Sequence, residues 1–172
     1  YTDLPNDVHP GDTLLLDDGR IRLTVERIEG EKIHCTVLNS ATLSNHKGIN
    51  RQGGGLNAKA LTDKDKQDLQ KAVELNADYI AISFPRDAND IHEARALMQQ
   101  HQGNAGIIAK IERAEAIQCI EDIITAADGV MVARGDLAVE IGDAEVPLVQ
   151  KEIIQAARTL DKPVIVATQM ME

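Results

Sequence analysis

Aromatic residues are scarce in this sequence, which has no tryptophan, one phenylalanine and two tyrosines among 172 residues. The core must therefore be built from aliphatic side chains. The hydrophobic content of 43% is enough for one sizeable domain, or for one domain with a small appendage. Only two cysteines are present, Cys35 and Cys119, and they are far apart in the sequence. We therefore expect reduced thiols in a cytosolic protein rather than a disulfide framework.

The sequence also lacks long apolar segments and an excess of basic residues. No apolar run approaches the roughly 20 residues that cross a bilayer, and no basic segment followed by an apolar leader opens the chain. The 18 basic and 28 acidic residues give a net charge of -10, which argues against nucleic acid or an anionic membrane as the main partner. Because the chain starts without methionine and stops just after an apparent strand, we expect it to be part of a longer polypeptide.

Residues 1–46 predict part of a small antiparallel β domain. Hydrophobic and polar residues alternate over residues 21–26 and again over residues 33–37, which is the period-two pattern of half-buried strands. The sequences DDG at residues 17–19 and EGEK at residues 29–32 carry turn signals. Residues 47–57, KGINRQGGGLN, are rich in glycine. We predict a hinge there, between the β domain and a second domain over residues 58–172.

The second domain alternates amphipathic helices with four apolar strands, which are predicted near residues 79–84, 107–111, 129–133 and 164–167. Thr62 and Asp65 resemble a capping box at the start of the first helix, and isoleucines at positions 117, 120, 123 and 124 indicate the third helix. Strands that are apolar on both faces and alternate with helices indicate a parallel sheet covered by helices.

Two architectures share this pattern, a (β/α)8 TIM barrel and a doubly wound open sheet. No strand is followed by the Gly-x-Gly-x-x-Gly fingerprint of dinucleotide binding. Polar residues instead follow every predicted strand, as they do in barrel enzymes, where successive strand ends build the site. We therefore predict an α/β fold that is a partial TIM barrel of about four strand–helix units, preceded by part of an antiparallel β cap.

Charged residues stand at the ends of two predicted buried strands. Lys110 and Glu112 end the second strand of the barrel segment, and Asp136 follows the third. Charge in such a position is costly unless it has a partner or a role. One or two carboxylates suit a hard cation such as Mg²⁺, so Glu112 and Asp136 are candidate metal ligands. The alternative is a pair of structural ion pairs, Glu112 with Lys110 or Arg113 and Asp136 with Arg134.

Three residues near the strand ends are candidates for contact with an anionic substrate. Lys110 is suited to neutralise a phosphoryl group or an oxyanion in a low-dielectric cleft, unless it is a surface lysine extending from the sheet. Backbone N–H groups near Gly135 can hold a carboxylate, or Gly135 is a simple turn residue. Thr168 can donate to an anion or relay a proton through water, although threonine is also a common strand residue.

Five motifs, in this order and spacing, resemble the pyruvate kinase family. Three come from the barrel segment, and they are IIAKIERAEAI at residues 107–117, DGVMVARGDLAVEIG at 128–142 and PVIVATQMME at 163–172. Two come from the cap and its return into the barrel, and they are LLLDDGRI at residues 14–21 and LSNHKGINRQGGGL at 43–56. The similarity covers essentially the whole chain.

The resemblance implies a glycolytic enzyme that transfers a phosphoryl group from phosphoenolpyruvate to ADP, giving pyruvate and ATP. Lys110 would stabilise the transferring phosphoryl group, and Glu112 and Asp136 would bind Mg²⁺ or Mn²⁺. Gly135 and Asp136 would contact the carboxylate of phosphoenolpyruvate, and Thr168 would lie near its enol carbon.

The resemblance also assigns residues of the cap and properties of the whole protein. Lys47 would contact the nucleotide, and the turn with Asp17 and Asp18 would close toward the site. A potassium ion, with ligands outside this chain, a homotetramer and a cytoplasmic location are also implied.

The sequence departs from the family pattern in two respects. Ala138 stands where the family has glycine, and the first three barrel strands, the eighth strand and the C-terminal regulatory domain are absent. We therefore expect the chain alone to be inactive. Two other functions are compatible with the residues, a metal-dependent aldolase or lyase acting on phosphoenolpyruvate or pyruvate, and a catalytically silent binding fragment.

Overall fold

A computed structural model of the chain describes residues 1–168. The last four residues of the PVIVATQMME motif, and of the predicted domain 58–172, lie outside the described residues. Two four-stranded sheets organise the chain, one antiparallel and one parallel.

The antiparallel region consists of α1 (Leu4–Asp7), β1 (Thr13–Leu16), β2 (Ile21–Glu29), β3 (Lys32–Val37) and β4 (Ile49–Arg51). The strand order in its sheet is β3-β2-β1-β4. The predicted strands and both turns are confirmed, and the β2–β3 hairpin has a two-residue turn in which Gly30 adopts a φ of 59°. Strand β4 lies within the segment 47–57 and pairs with β1, so part of the predicted hinge continues the cap sheet.

The parallel sheet consists of β5 (Tyr79–Ile82), β6 (Gly106–Ile111), β7 (Gly129–Ala133) and β8 (Val164–Ala167). Its strand order is β5-β6-β7-β8. The connecting helices are α2 (Asp63–Glu74), α3 (Ala88–Gln100), α4 (Ala114–Gln118), α5 (Ile120–Ala126), α6 (Arg134–Ile141) and α7 (Val146–Thr159). The described strands do not close into a barrel, which fits the predicted partial barrel.

Aliphatic side chains form the core between this sheet and its helices, as the scarcity of aromatic residues requires. Ile107, Val130 and Val132 of the central strands and Ile91 and Ile153 of the helices are no more than 1% exposed. The antiparallel sheet has a separate small core around Val8, Leu14 and Val25. Each sheet therefore has its own hydrophobic cluster.

Several local features differ from the sequence pattern. The helix predicted from Ile117 to Ile124 is divided into α4 and α5 at Cys119; the apolar spacing continues across the break, so the pattern gives no sign of it. Helix α6 was not predicted, because the charged residues at its start conceal its apolar side.

The capping box of Thr62 and Asp65 is confirmed. Among residues 1–168, no helix combines the length and the apolar character needed to span a bilayer.

Candidate active site at the carboxyl edge of the parallel sheet

The parallel register brings the carboxyl ends of all four strands to one edge of the sheet. Ile82 is paired with Ala109, Ile111 with Val132, and Ala133 with Ala167. The residues that continue from these ends are therefore neighbours in space although they are far apart in sequence. They include the predicted site residues Glu112, Gly135, Asp136 and Thr168. Lys110 lies inside β6, opposite Met131.

Glu112 is the most deeply buried charged residue at this edge, with 0% of its surface exposed. Its Oε2 accepts a hydrogen bond from the backbone N–H of Phe84 at 2.7 Å. Its Oε1 lies 2.7 Å from Nζ of Lys110, and the hydrogen bond and positive charge of Lys110 partly offset the rise in the pKa of Glu112 that burial causes. A carboxylate has about four lone-pair sites for hydrogen bonds or cations, so Glu112 has sites left for a second cation beside Lys110.

Lys110 is held between two groups from the same edge. Its Nζ donates a hydrogen bond to Oγ of Ser83 at 3.0 Å and contacts Glu112, and its side chain is 26% exposed. The predicted alternative, an ion pair of Glu112 with Lys110, is therefore present. Arg113 does not pair with Glu112, because its guanidinium donates to the backbone oxygens of Leu56 and Ala58.

Asp136 lies in the first turn of α6, half-buried, close enough to Glu112 for each carboxylate to affect the pKa of the other. Burial raises the pKa of Glu112, and the nearby negative charge of Asp136 adds to that effect. Burial also raises the pKa of Asp136, followed by the negative charge of Asp18. The positive charge of Lys110 lowers both pKa values without cancelling the rise, so both carboxyl groups favour additional positive charge nearby. Arg134 donates to Gln150, and the ion pairs of the described residues include none between Arg134 and Asp136.

The donor set fits a hard cation such as Mg²⁺, because Glu112 and Asp136 supply carboxylate oxygens and lie close enough for a hydrogen bond between them to affect the pKa of Asp136. Within the described part of the chain, no cluster of three or more His, Cys, Asp or Glu side chains is arranged to hold a metal. Magnesium often takes only one or two protein carboxylates, leaving its other positions to water and substrate. The pair Glu112 and Asp136 is consistent with that mode of binding.

The turn between β1 and β2 approaches this site from the antiparallel sheet. Asp17 and Asp18 both adopt a left-handed backbone conformation, and Asp18 is near enough to Asp136 to raise its pKa. A cavity of about 330 Å³ separates this turn from α6 and is lined by Asp18, Gly135 and Ala138, among others. Ala138, at the position where the resemblance implies a glycine, therefore faces the space between the two sheets.

Lys47 lies at the same turn rather than at the strand ends. Its Nζ is 2.6 Å from Oδ1 of Asp17, and the hydrogen bond from Lys47 lowers the pKa of Asp17. Two of the three predicted cap residues, Lys47 and Asp17, are thus paired with each other.

The remaining predicted residues continue from β7 and β8. Gly135 is half-buried in the first turn of α6, next to Asp136. Thr168 directly follows β8, is exposed, and has a φ of 62°. This conformation is strained for a β-branched residue, and strain of this kind is often found at functional sites.

Sequence reasoning missed Glu140, a buried residue on α6 four positions after Asp136. It lies where the two sheets meet, and its carboxylate accepts hydrogen bonds from Ala114 and Asn50. The four-residue spacing places Asp136 and Glu140 on one side of a helix. This spacing is the sequence signal by which Glu140 could have been identified.

Comparison with known proteins gives a consistent result. The family model described as "Pyruvate kinase, barrel domain" matches residues 1–172. The chain is 57% identical to "Pyruvate kinase" of Buchnera aphidicola subsp. Acyrthosiphon pisum and 54% identical to "Pyruvate kinase II" of Salmonella typhimurium, in each case over 100% of this chain and 36% of the relative. It is 53% identical to "Pyruvate kinase" of Haemophilus influenzae, over 100% of this chain and 37% of that relative. The chain thus spans little more than a third of the length of these relatives.

Proposed function

The chain belongs to the pyruvate kinase family over its whole length, and from this we propose that it works, as part of a longer polypeptide, in transferring a phosphoryl group from phosphoenolpyruvate to ADP. The products are pyruvate and ATP. The single observation that carries the proposal is the group of Lys110, Glu112 and Asp136 at one sheet edge, where a fully buried carboxylate lies beside a second carboxylate and an ammonium.

Electrostatic stabilisation is the main task in this reaction, because phosphoryl transfer depends largely on positioning and on offsetting negative charge. Glu112 and Asp136 would hold Mg²⁺ or Mn²⁺. When bound, the dication offsets the negative charge of the substrate oxygens. Lys110 is the second positive group. Its ammonium, oriented by Ser83 and Glu112, stabilises the transferring phosphoryl group.

The substrate itself is positioned by residues that continue from β7 and β8. Backbone N–H groups at Gly135 and Asp136 bind the carboxylate of phosphoenolpyruvate. A terminal oxygen of ADP attacks phosphorus, and the bond from phosphorus to the enol oxygen breaks. The resulting enolate of pyruvate takes up a proton at carbon, and Thr168 relays this proton through a water molecule.

The antiparallel sheet contributes the nucleotide side of the site. Lys47 would exchange its contact with Asp17 for the phosphates of ADP, since a phosphate group offers more negative charge than one carboxylate. The turn with Asp17 and Asp18 would then cover the reacting groups. A covered site excludes water, which otherwise competes with ADP as the phosphoryl acceptor.

The family resemblance supports three further parts of the proposal. These are a requirement for K⁺ with ligands outside this chain, a homotetrameric assembly and a cytoplasmic location. The 36% coverage of the relatives supports the view that the missing barrel strands belong to the same polypeptide.

A coupled assay on the full-length protein tests the proposal. The assay follows ATP formation from ADP and phosphoenolpyruvate with and without Mg²⁺, and we expect turnover only with the metal. Cleavage of a carbon–carbon bond without ATP formation would instead indicate a metal-dependent lyase. Calorimetry that detects no heat with either Mg²⁺ or phosphoenolpyruvate would indicate a catalytically silent protein.

A further inference from the structure

Glu140 is a buried carboxylate for which the proposed chemistry has no use. It is 7% exposed near the end of α6, and burial raises its pKa. Among the described residues it forms no ion pair, and its carboxylate is bonded only to neutral N–H groups. Burying a carboxylate in such surroundings costs free energy of folding. Its presence therefore points to a role for its hydrogen bonds.

The two oxygens of Glu140 join two parts of the chain. Oε2 accepts a hydrogen bond from the backbone N–H of Ala114 at 2.8 Å, and Oε1 accepts one from Nδ2 of Asn50 at 3.3 Å. Its backbone oxygen also accepts a hydrogen bond from the N–H of Gly53 at 3.1 Å. Ala114 is two residues after Glu112, whereas Asn50 belongs to β4 and is paired with Leu15 of β1.

Neighbouring residues form further hydrogen bonds between the strand end after Glu112 and the segment that returns from the cap. Arg113, which is 7% exposed, donates from both terminal nitrogens to the backbone oxygens of Leu56 and Ala58 at 2.9 and 3.0 Å. Glu115 accepts a hydrogen bond from the N–H of Gly55. The three residues after Glu112 are therefore all bonded to Glu140 or to the segment that returns from the cap.

We propose that Glu140 is a positioning residue that fixes the cap sheet relative to the metal-binding pair Glu112 and Asp136. One side-chain hydrogen bond of Glu140 connects it to the strand end that carries Glu112, and a second connects it to the cap sheet. Asp136 lies on the same helix as Glu140. The inference rests on the proposed function for the role of the cap in binding ADP. Its effect on metal binding rests on the proposed metal site alone, which Mn²⁺ binding tests without turnover.

Substitutions at the two ends of this connection should have different effects. In the full-length protein, Asn50→Ala removes only the cap bond, so we expect a higher KM for ADP and an unchanged affinity for Mn²⁺. Glu140→Ala removes both bonds. We expect it to lower kcat/KM for ADP by about ten- to a hundredfold, the range for small misplacement of a reacting group, and to weaken Mn²⁺ binding measured by calorimetry.

A conservative variant and a surface control separate positioning from general destabilisation. Glu140→Gln keeps an acceptor for Ala114, and rotation of the Asn50 amide lets that residue accept from the new NH₂ group. We therefore expect Glu140→Gln to retain both activity and Mn²⁺ affinity. Glu152→Ala, an exposed glutamate on α7, should behave as the unmodified protein. Circular dichroism should show that every variant is folded at the assay temperature.

The double variant Asn50→Ala/Glu140→Ala completes the test. Because the two side chains act through one hydrogen bond, its KM for ADP should be close to that of Glu140→Ala alone. The inference is overturned if Glu140→Ala leaves both the Mn²⁺ affinity and the KM for ADP unchanged. It is also overturned if the effects of the two single substitutions on the KM for ADP multiply in the double variant. If the unmodified protein forms no ATP, the proposed function fails, and the Mn²⁺ measurements alone then decide whether Glu140 positions the metal pair.

Discussion

At the scale of single residues, the site depends on charges that compensate one another in a buried environment. Lys110 is the only cation within the described residues that forms an ion pair with Glu112, and Ser83 orients its ammonium. Glu112 and Asp136 both have pKa values raised by burial, so the pair favours a state in which additional positive charge is present. A metal ion and an anionic substrate together meet this requirement.

Replacement of Lys110 by methionine separates the role of the lysine from that of the metal. In the full-length protein, Lys110→Met should lower kcat by about a thousandfold or more, because one charged group at a transferring phosphoryl is removed. Mn²⁺ binding should persist, since Glu112 and Asp136 remain. Steady-state kinetics and calorimetry measure the two effects. Lost metal binding with nearly normal turnover would mean that the role of the lysine is misassigned.

Asp90 gives a prediction on acid stability away from the site. Burial raises the pKa of Asp90, but hydrogen bonds from the Arg86 side chain and backbone N–H outweigh it, so the pKa is lowered. A lowered pKa in the folded state gives stability that is present above the unfolded pKa of about 3.9 and is lost as the pH falls through the folded value.

Asp90→Asn should therefore destabilise the protein at neutral pH and much less in acid. The Arg86 side chain is 35% exposed, so solvent screening limits the loss to about 1 kcal/mol at pH 7. Urea unfolding followed by circular dichroism at several pH values measures it. Glu31→Gln, at an exposed hairpin position, is the matched control. Equal destabilisation of Asp90→Asn at all pH values would contradict the assignment.

At the scale of elements, local sequence signals mark the start of some helices, and among the described helices α2 and α3 have side-chain caps. The capping box at α2 is an example, because the Thr62 side chain accepts from the N–H of Asp65 while Asp65 accepts from the N–H of Thr62. Helix α6 shows the limit of such signals. It starts directly after β7, without a side-chain cap, so its first residues resemble a polar loop.

Removal of the cap at α2 should have a measurable effect on stability. Thr62→Ala should lower the free energy of unfolding by about 1 kcal/mol, the usual contribution of a helix N-cap. Thr125→Ala is the matched control, since the exposed Thr125 hydroxyl bonds back to Glu121 within α5 and such a bond adds little to helix stability. Chemical unfolding of both variants measures the difference. Equal effects would show that the capping box is not the cause.

At the scale of the whole molecule, the parallel sheet has two unpaired edges. Within the described residues, β5 pairs only with β6 and β8 only with β7. Tyr79 on β5 is 65% exposed and Ile165 on β8 is 45% exposed. Exposed apolar edge strands promote association with other chains. This observation fits the proposal that further barrel strands cover both edges in the full-length protein.

The isolated chain should therefore self-associate. Size-exclusion chromatography with light scattering should show species larger than 18.7 kDa, and Tyr79→Lys/Ile165→Lys should shift the distribution toward the monomer, because charged edges resist pairing. Leu148→Lys is the control, since Leu148 is 56% exposed on helix α7 rather than on a strand edge. A monomeric unmodified chain would contradict the prediction, as would an equal response to Leu148→Lys.

The sequence by itself determined the alternation of strands and helices in the parallel region, the antiparallel region before it, and the charged residues at the strand ends, but not α1, α6, β4 or the break between α4 and α5. These properties are local, since they follow from periodicity, turn residues and the cost of charge beside an apolar run. The residues Lys110, Glu112 and Asp136 could be selected on those grounds before any distance was available.

Only the tertiary structure decided which of these groups are in contact. Asp18 near Asp136, Ser83 on Lys110, and Glu140 between Asn50 and Ala114 connect residues that are 26 to 118 positions apart in the sequence. No periodic pattern records such pairs, because they arise when the sheets form and burial leaves each polar atom with few partners to choose from. The chain sequence provides the groups, and the packing of the two sheets selects their partners.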